Sequence, residues 1–204
     1  MNVTMASRAI VLSSAHPSEA MDRFVAATVE ALSMTRPDVA LRDAGRLQPN
    51  EHFRSRSWRR SDAPWTAVEH FSDASVPATW LEVRGEDLDD VLLVESLLRS
   101  VMPCEHASAL LDALAREPNN PSLLVRTALA HVGLQVPEEM FMATKRSIES
   151  GDLAQFAAAC TAASLLPDQR LVLVLEERGR RDPALSRLVG SALANLESAA
   201  RAAP

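Results

Sequence analysis

Three places in the chain put an imidazole next to a carboxylate, the pairing that general acid–base catalysis uses. They are Glu51-His52, Glu69-His70 and Cys104-Glu105-His106. Adjacent residues on a helix point in different directions, so a pair of this kind is not a preset catalytic dyad. We therefore predict no catalytic residue and favour a protein that is not an enzyme.

The sequence also lacks the motifs of metal, nucleotide and acyl-transfer sites. Cysteine and histidine never occur at the C-x-x-C or H-x-x-x-H spacing that metal sites use. A phosphate-binding loop needs a lysine directly after a glycine, and the one lysine, Lys145, does not directly follow any of the six glycines. The G-x-S-x-G motif of acyl-transfer enzymes does not occur either. We expect neither a metal nor a cofactor. His131 is interpreted as an ordinary histidine at a helix C-terminus, where the helix dipole favours it.

Arginine and tryptophan alternate in a polar stretch that we interpret as an irregular loop over residues 44–78. Aromatic residues flanked by arginine commonly anchor protein interfaces. The candidate interface residues are Arg54, Arg56, Trp58, Arg59, Arg60 and Trp65. Two alternatives stay open: the loop could pack on acidic helices of its own chain, or its side chains could stack on nucleic-acid bases.

These residues precede a long region with regular helix-start signals. First helices are predicted to begin at Pro103, Pro137 and Pro167, and second helices at Pro121, Asp152 and Pro183. Proline suits the first turn of a helix because its missing N–H would be unpaired there. Gly133, Gly151 and Gly179 are predicted just past helix ends. Between these signals the apolar residues keep helical spacing, and we interpret Leu171–Leu175 as a buried helix rather than a strand. We predict at least six helices over residues 87–200. Leu129 and Leu188 lie within buried apolar stripes, so aspartate at either position is expected to unfold the protein.

This helical region resembles tetratricopeptide repeat proteins. Glu117–Pro121 is similar to their turn between repeats, and Gly151-Asp152-Leu153 to the turn within a repeat, with Ala163 and Pro167 near the expected downstream positions. Phe156 departs from the pattern, since the family has a small alanine there. HEAT-like repeats fit nearly as well. The resemblance, over residues 104–200, implies stacked helix pairs whose surface binds a protein or peptide.

Residues 1–85 have a different pattern. Strands are predicted over residues 8–14, 38–42 and 79–84, with a helix from Pro17 that ends before Arg36, in a βαβ-type arrangement. The predicted fold class is mainly α: α-solenoid-like stacked antiparallel helix pairs over residues 86–204, preceded by a small α+β segment over residues 1–85.

Residues 8–53 also resemble the start of flavodoxin-like quinone reductases. The resemblance lies in a strand, the Ala15-His16-Pro17 turn, a helix and a second strand that ends near Asp43. In that family the loop after the first strand holds the flavin phosphate. The resemblance therefore implies a flavin site at Ser14, His16 and Ser18.

Charge and composition bear on partners and compartment. The net charge is −6; residues 1–85 contain ten basic and ten acidic residues, and residues 86–204 contain eleven and seventeen. An acidic helical array disfavours nucleic acid and suits a basic protein partner.

No apolar stretch approaches the ~20 residues of a membrane helix, and Cys104 and Cys160 are predicted to be buried and free. We expect a cytoplasmic protein; the nearly exclusive use of arginine is typical of bacteria with GC-rich genomes.

Three functions follow, in order of preference. The first is a non-enzymatic adaptor that binds a protein partner through its helical repeats. The second is an immunity or antitoxin-like inhibitor of one partner protein. The third is a small flavin-binding reductase that uses the N-terminal strand–helix turn. The sequence predicts no oligomeric state.

Overall fold

The computed structural model describes residues 5–13, 19–47, 53–60, 65–73, 78–166 and 168–202. The chain divides into two compact units: unit 1, residues 1–105, and unit 2, residues 106–204. We predicted a boundary after residue 85. The units divide further along because the helix after that residue contacts the strands of unit 1.

Unit 1 is built on a five-stranded sheet. Its strands are β1 (Ala6–Val11), β2 (Arg42–Leu47), β3 (Phe53–Arg59), β4 (Thr66–Asp73) and β5 (Ala78–Gly85). They lie in the order β1-β5-β4-β3-β2, and every neighbouring pair is antiparallel. The βαβ expectation is therefore wrong for the described residues, because β1 pairs with β5 and not with the strand that follows the first helix.

Two helices pack on one face of this sheet: α1 (Glu19–Thr35) and α2 (Leu88–Val101). Asp87 caps α2, since its carboxylate accepts hydrogen bonds from the backbone N–H groups of Asp89 and Asp90. The core combines apolar residues of both helices with the inner face of the sheet: Ile10, Val25, Val29, Leu32, Trp58, Val68, Leu81, Val83, Val91, Val94 and Leu98. Burial of this surface is what holds unit 1 together.

The predicted irregular loop over residues 44–78 is wrong, because β3, β4 and parts of β2 and β5 lie within it. In β3 the inward positions are Arg54, Arg56 and Trp58, and serines occupy two of the alternate positions. Inward and outward residues alternate along β3 as in any strand, but two of its three inward residues are charged arginines. Hydrophobic alternation, the usual strand signal, is therefore absent from β3.

The described secondary structure of unit 2 consists of helices joined by short connections. It contains α3 (Ala107–Arg116), α4 (Pro121–Ala130), α5 (Glu138–Ser150), α6 (Leu153–Leu165), α7 (Arg170–Arg181), a 3₁₀ turn (Pro183–Leu185) and α8 (Ser186–Ala202). α4, α6 and α8 contact one another in turn, as do α3, α5 and α7. The consecutive pairs α3–α4, α4–α5, α5–α6 and α7–α8 are also in contact. Together with α2 this makes seven helices between residues 87 and 202, so the predicted minimum of six is confirmed.

Two of the six predicted helix starts, Pro121 and Asp152, are confirmed by capping hydrogen bonds. α5 begins directly after Pro137 and Pro183 begins the 3₁₀ turn, but α3 begins at Ala107 rather than at Pro103, and Pro167 lies outside the described residues. Asn120 Oδ1 accepts from Leu123 N at 3.1 Å, and Asp152 Oδ1 accepts from Gln155 N at 2.9 Å. Gly133 follows α4 with φ of 74°, the left-handed conformation predicted for it. Gly151 lies directly after α5, as predicted, but its φ of −67° is not left-handed. Gly179 lies inside α7, so its predicted position past a helix end is wrong.

The predicted fold class is wrong as a whole, because a five-stranded antiparallel sheet, rather than a small α+β segment, organises the first half of the chain. Residues 171–175 are helical as predicted, although Leu173 is exposed. Leu188, which we placed in the buried stripe of α8, is also exposed. The buried positions of that helix are Val189, Ala192 and Leu196.

Candidate functional site

A cleft of about 690 Å³ opens in unit 1 along α1 and strands β2, β3 and β4. The side chains that line it are mostly charged or titratable. They are Glu19, Asp22, Arg23 and Glu30 of α1, Arg46 of β2, Arg54 and Arg56 of β3, and His70 of β4. Ala26 and Ala27 add a small apolar surface. A concave site with convergent polar groups is where a ligand site is expected first.

The register of the sheet lines up the floor of this cleft. Arg46 is opposite Arg56, and Arg56 is opposite His70, so one row crosses three strands. Directly opposed residues in antiparallel strands project on the same face. A bulge between Asp43 and Gly45 sets this register in β2. Gly45 has φ of 119°, a conformation that side-chain-bearing residues rarely adopt.

Ion pairs join α1 to the arginines of β3. Arg54 Nη1 lies 3.0 Å from Asp22 Oδ2. Arg56 Nη2 lies 3.0 Å from Glu30 Oε1 and 2.6 Å from Asp43 Oδ2. The Arg56 guanidinium holds the pKa of Asp43 below its usual range. Both arginines are therefore already engaged by carboxylates.

Arg46 is different, because no carboxylate among the described residues forms a salt bridge or hydrogen bond with it. Its side chain is exposed at the cleft. Two like charges directly opposite on neighbouring strands repel each other, and Arg46 is opposite Arg56. Among the described arginines of the cleft lining, Arg46 is thus the one that forms no salt bridge or hydrogen bond with a carboxylate, although its charge still acts on Asp22 and Asp43.

His70 and Asp22 face each other at the base of the cleft. His70 Nδ1 lies 3.9 Å from Asp22 Oδ1, which is too long for a hydrogen bond. His70 is only 3% exposed. Burial, reinforced by the charges of Arg54 and Arg56, lowers its pKa to about 4, so it is neutral at physiological pH. Burial raises the pKa of Asp22, against the opposing effect of Arg54.

Buried polar atoms without a hydrogen-bond partner concentrate in unit 1. Eight such side-chain atoms occur among the described residues, and seven belong to this unit. Asp22 Oδ1, Arg56 Nε and His70 Nε2 belong to lining residues of the cleft. Ser72 and Thr79, opposite each other on β4 and β5, each leave a buried hydroxyl unpaired beyond His70. Each such atom lowers the free energy of unfolding by about 1–3 kcal/mol when it is buried without a hydrogen-bond partner.

The structure separates the six predicted interface residues. Arg54 and Arg56 line the cleft, and Trp58 lies fully buried in the core with the Arg56 guanidinium 5.0 Å from its ring. Trp58 is therefore a core residue rather than a surface anchor. Arg59 lies 6.0 Å from the ring of Trp65, and Arg60 Nη1 lies 3.2 Å from Asp90 Oδ2. Arg54, Arg56 and Arg60 form ion pairs with acidic residues on helices of their own chain. They therefore follow the alternative in which this stretch packs on acidic helices.

Sequence reasoning missed Asp22, Arg46 and His70 as a group. In the sequence, His70 was considered only as part of the Glu69-His70 pair. In the structure, Glu69 projects on the opposite face of the strand and forms an ion pair with Arg84 at 3.5 Å. Asp22 comes from α1, far from His70 in sequence. The usable signal was the alternation of Val68, His70 and Ser72, which marks one face of a strand.

Several other predictions have a plain outcome. Ser14, His16 and Ser18, the residues of the flavin expectation, and the Glu51-His52 pair lie outside the described residues. The flavodoxin-like arrangement itself requires parallel strands, and the described sheet is antiparallel.

Cys104 and Cys160 are free, as predicted; Cys160 is buried and Cys104 half-buried. His131 ends α4, and its Nδ1 lies 2.8 Å from the carbonyl oxygen of Thr127.

The described residues contain no group of three histidine, cysteine or acidic side chains placed to hold a metal ion. No described helix combines the length and the apolar character that a membrane crossing needs.

The acidic excess does not lie on the helices of unit 2. Residues 106–204 carry ten basic and eleven acidic side chains, whereas residues 86–105 carry one and six. Asp87, Asp89 and Asp90 of that short segment begin α2, where carboxylates complement the helix dipole. The acidic-array argument for a basic partner therefore loses its support.

Comparison of the chain with models of protein families, with curated proteins and with solved structures finds no match.

Proposed function

We propose that unit 1 is a ligand-binding module and that the cleft beside α1 binds a small polar molecule. The single observation that supports this is the cluster of buried, unpartnered polar atoms at the cleft, above all Asp22 Oδ1 and His70 Nε2. Native proteins satisfy the great majority of buried polar groups, so such exceptions mark candidate functional sites.

The chemistry of these groups indicates what the ligand carries. Asp22 Oδ1 accepts a hydrogen bond when ionised, and a neutral His70 offers one donor and one acceptor. Arg46 adds donors with a positive charge. A molecule with both donor and acceptor groups suits this set, in which His70 Nδ1 and Asp22 Oδ1 lie 3.9 Å apart.

The test compares stability with binding in His70→Leu. Leucine fills a similar volume and removes the unpartnered imidazole, so the free energy of unfolding should hold or rise by about 1 kcal/mol. Ligand-detected NMR with a mixture of small polar compounds should show binding to the wild-type chain and little to the variant. Urea unfolding gives the stability.

Arg42→Gln serves as the control, since Arg42 is exposed on the same strand as Arg46 but does not line the cleft. It should bind the same compounds as the wild type. Loss of stability in His70→Leu would show that the histidine is structural. Unchanged binding in that variant would remove the cleft from consideration.

Protein binding by unit 2 is a second proposed function, and a groove between α3 and α5 is the observation that favours it. The groove has a volume of about 440 Å³ and an apolar lining that includes Leu111, Ala115 and the exposed Met142. Glu138 and Glu139 lie at its edge. Flexible methionine is common at surfaces that bind peptides. An adaptor, or an inhibitor of one partner, would use this groove.

The proposed compartment is the cytoplasm, and the free state of Cys104 and Cys160 is its support.

A further inference from the structure

We propose that the ligand of the cleft is an organic carboxylate, which binds at Arg46 and Arg54 while Asp22 takes up a proton. This inference rests on the proposed function, because it names the class of molecule that the same cleft binds.

Arg46 supplies the reason for an anion. Of the arginines that line the cleft, Arg23, Arg54 and Arg56 each have a carboxylate within 3.7 Å. Arg46 has none among the described residues, and it is opposite Arg56 across the strand pair. A carboxylate at this position would meet the planar fork of a guanidinium, which binds carboxylates through two parallel hydrogen bonds. It would also relieve the repulsion between the two opposed arginines.

Arg54 connects ligand binding to proton uptake by Asp22. Its guanidinium lies beside Arg56 on the inner face of β3, and it is held by Asp22 Oδ2 at 3.0 Å. A ligand carboxylate that reaches Arg54 comes close to Asp22, and two carboxylates at such a distance cannot both stay ionised cheaply. Asp22 is the one that takes the proton, because burial already raises its pKa.

Within the described part of the chain, the charged or titratable groups that face Asp22 belong to four elements. Glu19 and Arg23 are on α1, Arg46 on β2, Arg54 on β3, and His70 on β4. His70 stays neutral above its pKa of about 4 and contributes no proton near neutrality. The proton therefore comes from solvent and forms an O–H bond on Asp22. That O–H can donate to the ligand or to His70 Nδ1, whichever lies closer in the complex.

The charge balance favours a carboxylate over a phosphate. One carboxylate and one proton together leave the charge of the cleft unchanged. The two negative charges of a phosphate dianion exceed the single positive charge of Arg46, the arginine of the described lining that forms no salt bridge. The cleft, at about 690 Å³, also has room for an organic body beside the carboxylate. Ala26 and Ala27 give that body an apolar contact.

The experiment titrates the full chain with three probes that share one ring: benzoate, benzamide and phenyl phosphate. Chemical shifts of the arginine side chains report binding between about pH 6 and pH 8, where benzoate stays ionised. Benzoate should bind at least about tenfold more tightly than benzamide at the lower pH. Its affinity should fall by up to about tenfold per pH unit above the pKa of Asp22, since one proton is taken up.

Two variants separate the parts of this inference. Asp22→Asn should bind benzoate with no pH dependence, and Arg46→Gln should lose about tenfold in affinity at each pH. Arg42→Gln is the matched control on the same strand and should behave as the wild type. Arg46 is exposed, so its variant tests the site even if Asp22→Asn does not fold.

Equal binding of benzoate and benzamide would overturn the inference and leave the proposed function standing. Tighter binding of phenyl phosphate at every pH would also overturn it, as would a pH dependence that survives in Asp22→Asn. If neither these probes nor the mixture of polar compounds bound, the proposed function would fail with it.

Discussion

The two cysteines of this chain have different surroundings, and their reactivity should differ accordingly. Burial raises the pKa of Cys160 to about 12, so almost none of it is thiolate at neutral pH. Cys104 is half-buried, with its sulfur 3.9 Å from the carbonyl oxygen of Arg99 and 4.0 Å from that residue's guanidinium. We expect iodoacetamide to modify Cys104 first, by at least about tenfold in rate. Mass spectrometry of timed samples measures both sites.

The control for this prediction is the unfolded chain, in which both cysteines should react at similar rates. Cys104→Ser should abolish the fast phase in the folded protein. Rapid modification of Cys160 in the folded chain, at the rate of Cys104, would contradict the packing of α6.

Residue types alone predicted part of the cleft. Arg54 and Arg56 were singled out because arginine near tryptophan suits recognition, and both line the site. The same argument failed for Trp58, because the alternation that places Arg56 at the cleft also turns Trp58 into the core. His70 and Asp22 could not be paired from the sequence, since their proximity depends on the packing of α1 over β4.

At the scale of elements, helices were predicted more completely than strands, for a physical reason. The strands predicted over residues 8–14 and 79–84 correspond to β1 and β5, whereas β3 and β4 were missed. Helix starts depend on local hydrogen bonds, such as those of Asn120 and Asp152, and the residues that form them are adjacent in sequence. Strands depend on partners far along the chain. β3 pairs with β2 and β4, and its inward arginines are compensated by Asp22, Glu30 and Asp43 from other elements. A strand whose inner face is charged is recognisable only once those carboxylates are placed.

The same substitution at two leucines tests the helix phases of unit 2. Leu129 of α4 is 2% exposed, and Leu188 in the first turn of α8 is 39% exposed. Leu129→Asp buries an unpaired carboxylate and should cost about 3 kcal/mol or more, a large share of a typical stability of about 5–15 kcal/mol. Leu188→Asp should stay within about 0.5 kcal/mol of the wild type. Thermal and urea unfolding followed by circular dichroism give both values.

This pair replaces our sequence-based expectation that either change would unfold the protein. The helical stripe of α8 was predicted with Leu188 inside it, because leucines at positions 185, 188 and 196 fit helical spacing. Spacing selects a face about a third of the helix wide, and Leu188 lies at its edge. A large loss of stability in Leu188→Asp would show that the observed phase of α8 is wrong.

At the scale of the whole molecule, the charge and the candidate sites divide between the two units. Unit 1 holds the polar cleft and seven of the eight unpartnered buried polar atoms found in the part of the chain that the structure describes. Unit 2 is close to neutral and has an apolar groove. Composition gave no sign of this division, because the average charge over residues 86–204 hid the six acidic residues that precede unit 2.

Each unit has its own buried core, and for unit 2 this leads to the last prediction. Leu124, Phe156, Leu171 and Leu196 are all less than 3% exposed, and residues 106–204 match the size of a small independent domain. Expressed alone, residues 106–204 should give a helical circular dichroism spectrum and one cooperative thermal transition. The same fragment with Leu129→Asp is the control and should show no such transition, because the buried charge removes most of the stability of a domain this small. A wild-type fragment without helical signal would contradict the conclusion that unit 2 folds from its own residues.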